Sequence, residues 1–89
     1  MLMRRLNVDV EKVLRFKILS RLSCVWCTRA KMLLNKHEIP FEERLVSDLE
    51  EMKYLRGKGY KTFPIIHDEH DRFIGGYEEL KSFVEDPMN

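Results

Sequence analysis

Cys24-Val25-Trp26-Cys27 sets the only two cysteines of the chain one helical turn apart, directly after the apolar run Phe16-Lys17-Ile18-Leu19. This pattern reads as a strand that gives way to a helix at the first thiol. A helix opening there puts the first sulfur beside backbone N–H groups without intrahelical partners and at the positive end of the helix dipole, both of which favour a thiolate. Cys27 then lies within reach. Such a pair can attack a disulfide and resolve the mixed disulfide from within the same chain.

Two other uses of the pair have to be weighed. A C-x-x-C is also half of a tetrahedral zinc site, which needs two further ligands at suitable spacing. Only His37, His67 and His70 are candidates, and His67-Asp68-Glu69-His70 falls in a charged stretch between two apolar runs that reads as a hairpin turn. No metal is expected. A static disulfide across so short a loop would remove little entropy from the unfolded chain. A redox dithiol is the leading reading, with zinc as the alternative.

With 89 residues, 44% of them hydrophobic and 35% charged, the chain is sized for one ordinary globular domain with a modest core. A formal net charge of +1 argues against the clustered positive charge that phosphate backbones require, so no nucleic-acid partner is expected. Met1-Leu2-Met3-Arg4-Arg5-Leu6 is followed by Asn7, Asp9, Glu11 and Lys12 and not by an apolar stretch. Neither a secretory signal nor a membrane span is expected, and the expected compartment is the cytoplasm, where a C-x-x-C is more often catalytic or metal-binding than a permanent crosslink.

Hydrophobic periodicity divides the chain into a leader at 1–15, a domain at 16–86 and a tail at 87–89. Leu6, Val10, Val13 and Leu14 fall at helical spacing, which predicts a short leading helix from about Asn7 to Leu14. Phe16 to Leu19 reads as a first strand ending at the polar Ser20-Arg21. From Cys24, a stripe of Trp26, Ala30, Leu33 and His37 predicts an amphipathic helix stopped by Ile39-Pro40. Phe41 to Val46 alternates as a second strand, Phe41, Glu43 and Leu45 against Glu42, Arg44 and Val46. Ser47-Asp48-Leu49-Glu50 matches a capping box led by the serine, so a helix through Met52 and Leu55 should follow and end at Gly57-Lys58-Gly59. Pro64 should begin a buried strand through Ile65-Ile66, paired with Arg72-Phe73-Ile74. Gly75-Gly76 breaks the hairpin before a closing helix of Tyr77, Leu80, Phe83 and Val84. The order is β-α-β-α-β-β-α.

That order, with C-x-x-C at the first strand-to-helix junction, resembles the thioredoxin fold, and three further segments narrow the resemblance to the glutaredoxin family. Thr62-Phe63-Pro64 resembles the family's Thr-Val-Pro loop. Gly75-Gly76-Tyr77-Glu78-Glu79-Leu80 is similar to its Gly-Gly segment, and Arg21 holds the position of its usual lysine. The resemblance runs from about Phe16 to Val84. It implies a three-layer α/β fold with a mixed four-stranded sheet flanked by helices. It also implies a monomeric thiol–disulfide oxidoreductase that uses glutathione as co-substrate.

By the same resemblance Cys24 is the nucleophile and Cys27 the resolving thiol. Phe63–Pro64 would be a cis bond, leaving the Phe63 backbone open to the cysteinyl part of glutathione, with Thr62 in the same loop. The Gly76, Tyr77 and Glu78 amides would take the γ-glutamyl carboxylate, and Lys61 or Arg21 the glycyl carboxylate. Trp26 is either an exposed aromatic wall beside the sulfur or core filler. Glu78 and Glu79 stand where the family tends to use threonine, serine or aspartate, and Val25-Trp26 replace its common proline and tyrosine. Disulfide-containing clients would include ribonucleotide reductase. Two readings stand beside this one: a redoxin reduced by thioredoxin reductase, and an iron–sulfur-cluster-binding glutaredoxin in which two chains share a cluster through Cys24 and glutathione.

Overall fold

A computed structural model describes residues 14–86. All of the expected leading helix except Leu14 lies outside the described residues, as does the tail at 87–89. Strands β1 (Phe16–Ser20), β2 (Phe41–Leu45), β3 (Ile65–Asp68) and β4 (Phe73–Gly75) alternate with helices α1 (Val25–Lys36), α2 (Leu49–Gly57) and α3 (Tyr77–Glu85) in the expected order. The sheet runs β2-β1-β3-β4. β1 pairs in parallel with β2 and antiparallel with β3, and β3 pairs antiparallel with β4, so the sheet is mixed.

Three layers follow from which side chains each strand turns inward. Phe16, Ile18 and Ile66 pack with Ala30, Leu33 and Leu34 of α1 and Leu80 of α3. On the opposite face Ile65 packs with Val46 and with Leu55 of α2, joined by Leu19, Met52, Tyr60 and Phe63. The adjacent Ile65 and Ile66 are both buried because β3 is central and covered on both faces. β2 is an edge strand whose faces split as its alternation implies: Glu43 meets Lys31 of α1 at 2.9 Å, and Arg44 makes a bidentate pair with Glu51 of α2 at 3.1 and 2.6 Å.

Three local expectations need correction. The buried stripe of α1 is Cys27, Ala30, Leu33 and Leu34, while Trp26 is about half exposed and His37 is the exposed C-cap. α1 starts one residue after Cys24 and rolls Cys27 onto the sheet, which carries Trp26 to its flank. At α2 the cap is Asp48, not Ser47: the Asp48 carboxylate accepts from Glu50 N–H at 3.1 Å, and Glu51, three residues on, is drawn to Arg44 instead of back to the cap. α2 does end as expected, with Gly59 at φ +102° and hydrogen bonds from Gly59 N–H to Arg56 O and from Tyr60 N–H to Leu55 O, both at 3.0 Å. α1 closes by the same pattern without a glycine, since Glu38 takes φ +56° while its N–H bonds Asn35 O and Ile39 N–H bonds Leu34 O. Phe73, not Arg72, begins β4.

Asp68 organises the β3–β4 turn. Its buried carboxylate accepts from His70 N–H at 2.8 Å and from Arg72 N–H and Arg72 Nε at 2.9 Å. The Arg72 backbone N–H, assisted by His70 and the guanidinium, holds this carboxyl below its ordinary value of 3.8. A carboxyl depressed in the fold stabilises it above the unfolded value, and that contribution is lost as pH falls through the folded value. Asp68→Ala should therefore lower the thermal midpoint at pH 7, with the gap to wild type narrowing as the medium is made acid enough to protonate the Asp68 carboxyl in the fold. Melting curves followed by circular dichroism at pH 7 and in acid check this, and a constant gap would show that the charge is not what stabilises the turn.

Candidate functional site

The site forms where β1 ends and α1 begins. Ser23, at φ +56°, turns the chain so that Cys24 caps α1 in an extended conformation. Its sulfur acts as the capping acceptor: Cys27 N–H donates to Cys24 Sγ at 3.2 Å. A donor aimed at sulfur from a helix N-terminus strengthens when that sulfur is a thiolate. The Cys24 thiol points at Phe63 O, 3.7 Å away.

Cys27 differs in every respect. It is 2% exposed, whereas Cys24 is partly exposed. Burial, followed by the contact with Cys24, pushes the Cys27 thiol up to about 11. Both thiols are free. One sulfur can meet a substrate and the other waits behind it as a thiol.

Of the expected binding residues, all but Tyr77 and Glu78 line two clefts that share Lys61 and Thr62, while Tyr77 lines a third with Val25, Arg29 and Lys81. The first, of about 490 Å³, is lined by Cys24, Arg21, Trp26, Lys61, Thr62 and Phe63, together with Met52, Arg56 and Tyr60. Its volume lies within the range of small-molecule sites. The second holds Lys61, Thr62, Pro64, Gly75 and Gly76. Phe63–Pro64 is a cis bond, as expected, and stands between the two clefts. Trp26 is a wall and not core: Tyr77 lies against it at 5.5 Å and the Arg29 guanidinium sits 5.0 Å over its ring.

The Gly-Gly segment holds a correction. Three amides were expected to be open to an anion, but Gly76 N–H donates to Glu79 Oε1 at 2.9 Å. Tyr77 and Glu78 remain as first-turn amides without intrahelical acceptors. Gly75, at φ +138°, lets Glu79 fold back this closely, since a Cβ there would stand 2.7 Å from Glu79 Cβ. The Glu78 side chain lines a separate surface with Lys81 and Glu85, away from the thiols. Sequence reading missed Arg56 in the groove, because α2 has no motif that announces which exposed cation faces Cys24. It also missed Ser20, although alternation from Phe16 through Ile18 places it on the inward face.

Of the histidines weighed for zinc, His37 faces Glu85 at 3.6 Å and His67 packs against Phe73 at 5.5 Å. No cluster of three or more His, Cys, Asp or Glu suited to a metal ion occurs among the described residues. No helix among the described residues is long and apolar enough to cross a membrane.

Comparison with known proteins agrees with this geometry. The family model for glutaredoxin matches residues 16–70. Glutaredoxin 1 from Francisella tularensis, crystallised with cacodylate, is 28% identical with a TM-score of 0.68, over 83% of this chain and 95% of that one. A glutaredoxin from Brucella melitensis is 27% identical with a TM-score of 0.67, over 84% of this chain and 83% of that one. Oxidised glutaredoxin 2 from Chlamydomonas reinhardtii shares the fold at 16% identity and a TM-score of 0.63, over 94% of this chain and 85% of that one. No curated protein sequence matches the chain. A family match over more than half the chain, on a fold that brings an exposed and a buried thiol together at a helix start, leads to one conclusion: this chain belongs to the glutaredoxin family of thiol–disulfide oxidoreductases.

Proposed function

We propose that the protein is a dithiol glutaredoxin that reduces protein disulfides and glutathione mixed disulfides with glutathione as its reductant. The observation that carries this reading is the asymmetry of the two sulfurs, Cys24 accessible at a helix cap and Cys27 buried one turn behind it. Cys24 thiolate attacks the substrate disulfide and forms a mixed disulfide. Cys27 then displaces the product as a thiolate, and two glutathione molecules return the Cys24–Cys27 disulfide to the dithiol.

Glutathione fits the grooves by charge and by backbone. Its cysteinyl part lies along Phe63, whose carbonyl already faces Cys24 Sγ. Arg21, Arg56 and Lys61 supply positive charge for the glycyl carboxylate in the Cys24 groove. The γ-glutamyl carboxylate takes the Tyr77 and Glu78 amides, while Glu79, bonded to Gly76 through one oxygen, offers the other to the ligand's ammonium. Exposed Leu22, Val25 and Trp26 surround Cys24 and suit a protein client, ribonucleotide reductase among them. The protein acts as a cytoplasmic monomer in this reading.

Turnover of a glutathionylated substrate with glutathione and glutathione reductase should proceed, whereas thioredoxin reductase in their place should not support it. Reduction by thioredoxin reductase alone would make the chain the other kind of redoxin, and visible absorbance after anaerobic purification would favour the cluster-binding alternative. Cys24→Ser should abolish transfer. Cys27→Ser should keep deglutathionylation and lose most reduction of protein disulfides, because external glutathione resolves only the first kind of intermediate. The reverse pattern would exchange the two roles.

Glu79→Ala tests the ammonium contact. An exposed ionic contact of about 1 kcal/mol corresponds to a rise of roughly fivefold in KM for glutathione. Chemistry at Cys24 should be unaffected, so kcat stays near wild type. An unchanged KM would remove Glu79 from the binding site and leave it as a helix cap only.

A further inference from the structure

Ser20 ends β1 on the inward face, 1% exposed, and its Oγ makes no hydrogen bond in the structure. A buried hydroxyl left unpaired is destabilising, and small domains hold few of them. The surroundings supply a use for it. Ser20 lines an open cleft of about 470 Å³ together with Cys24, Cys27, Lys31 and Glu43, distinct from the Phe63 groove. The register pairs Ser20 with Leu45, so Glu43, two residues earlier on β2, shares its face.

Two anions border this hydroxyl, one permanent and one transient. The Glu43 carboxylate is held below the ordinary range by its contact with Lys31. The Arg21 backbone N–H and the Ser20 hydroxyl both favour the thiolate form of Cys27, against the burial that pushes it to about 11. At pH 7 Cys27 is therefore held mainly as the thiol, with only a small thiolate fraction. Resolution of the mixed disulfide depends on that small fraction.

We propose that Ser20 is the hydrogen-bond donor that stabilises the resolving sulfur: as Cys27 ionises to attack the Cys24 mixed disulfide, the buried Ser20 hydroxyl turns onto Cys27 Sγ beside the Arg21 N–H. The proposal rests on the dithiol reading above. Cys27 gives its proton to water in the cleft, and its thiolate forms the bond to Cys24 Sγ. The bond between Cys24 and the client sulfur breaks, its electron pair leaves on that sulfur, and the client thiolate takes a proton from solvent. The protein dithiol is oxidised as the client disulfide is reduced. An unpaired hydroxyl in the resting dithiol is thus the cost of a donor kept free for the attack.

The test needs neither glutathione nor a protein client. Reduced protein mixed with one equivalent of 5,5′-dithiobis(2-nitrobenzoate) releases one thionitrobenzoate as Cys24 reacts and a second as Cys27 displaces it. The second phase reports the Cys27 thiolate. Ser20→Ala should slow that phase about tenfold at pH 7 and move its pH profile up by about one unit, the effect of losing one hydrogen bond to a charged group. The first phase should be unchanged and the thermal midpoint of the reduced protein equal or higher. Lys31, Glu43, Arg21 and Cys24 border the same cleft, so Glu43→Gln serves as the control for their charges: it should leave the tenfold effect of Ser20→Ala in place. An unchanged second phase in Ser20→Ala, or a slower one with a lower midpoint, overturns the proposal. Wild-type protein that fails in the glutathione assay yet shows both phases would remove the glutathione reading, and the Ser20 comparison would still decide this one.

Discussion

The seating of α1 on the sheet fixes everything at the thiol site. Leu33 and Leu34 pack with Phe16, Ile18 and Ile66, and Ala30 allows the close approach between them. Each large apolar side chain removed from water here contributes about 1.5–3 kcal/mol, more than the roughly 0.5–1.5 of an ordinary neutral hydrogen bond. Sliding or rolling the helix would expose several of them together. The helix start is therefore pinned at the end of β1, with Cys24 at its cap and Cys27 one turn in, facing the sheet.

From that placement the two identical side chains acquire opposite properties. Cys24 receives the Cys27 N–H and remains open to solvent, while Cys27 is enclosed by the same strands that position it. Environment, and not residue type, separates the two thiols. The surrounding surface continues the division. Arg21, Arg56 and Lys61 line one cleft beside Cys24 with the Trp26 ring, and Lys31 with Glu43 borders the other. Trp26 packs with Tyr77 and with the Arg29 guanidinium although about half of it meets water.

Capping shows how far local chemistry reads from the sequence. The α2 cap was legible as a Ser/Asp cluster with acids behind it, but that Asp48 and not Ser47 caps the helix, and that Glu51 pairs with Arg44 on β2, was settled by the fold. The Gly-Gly turn was legible as a helix start. That Glu79 would fold back on Gly76 N–H depended on the φ of Gly75 and on the absence of a Cβ there. Arg56 could not be read at all, because a surface cation on a helix carries no mark of which cleft it borders.

The sequence by itself determined the element order, the α1 junction carrying both thiols and the hairpin pairing of β3 with β4. These rest on periodicities and breakers that act within a few residues. Only the tertiary structure decided that Cys27, not Trp26, would face the core, that Ser20 would lie unpaired beside it, and that Phe63 O would meet Cys24 Sγ across 39 positions of chain. The physical reason is that local propensity sets where a helix begins, but its rotation about its own axis is set by the burial it achieves against distant strands. That rotation, a matter of one residue's displacement around the helix, separates an exposed thiol from a buried one.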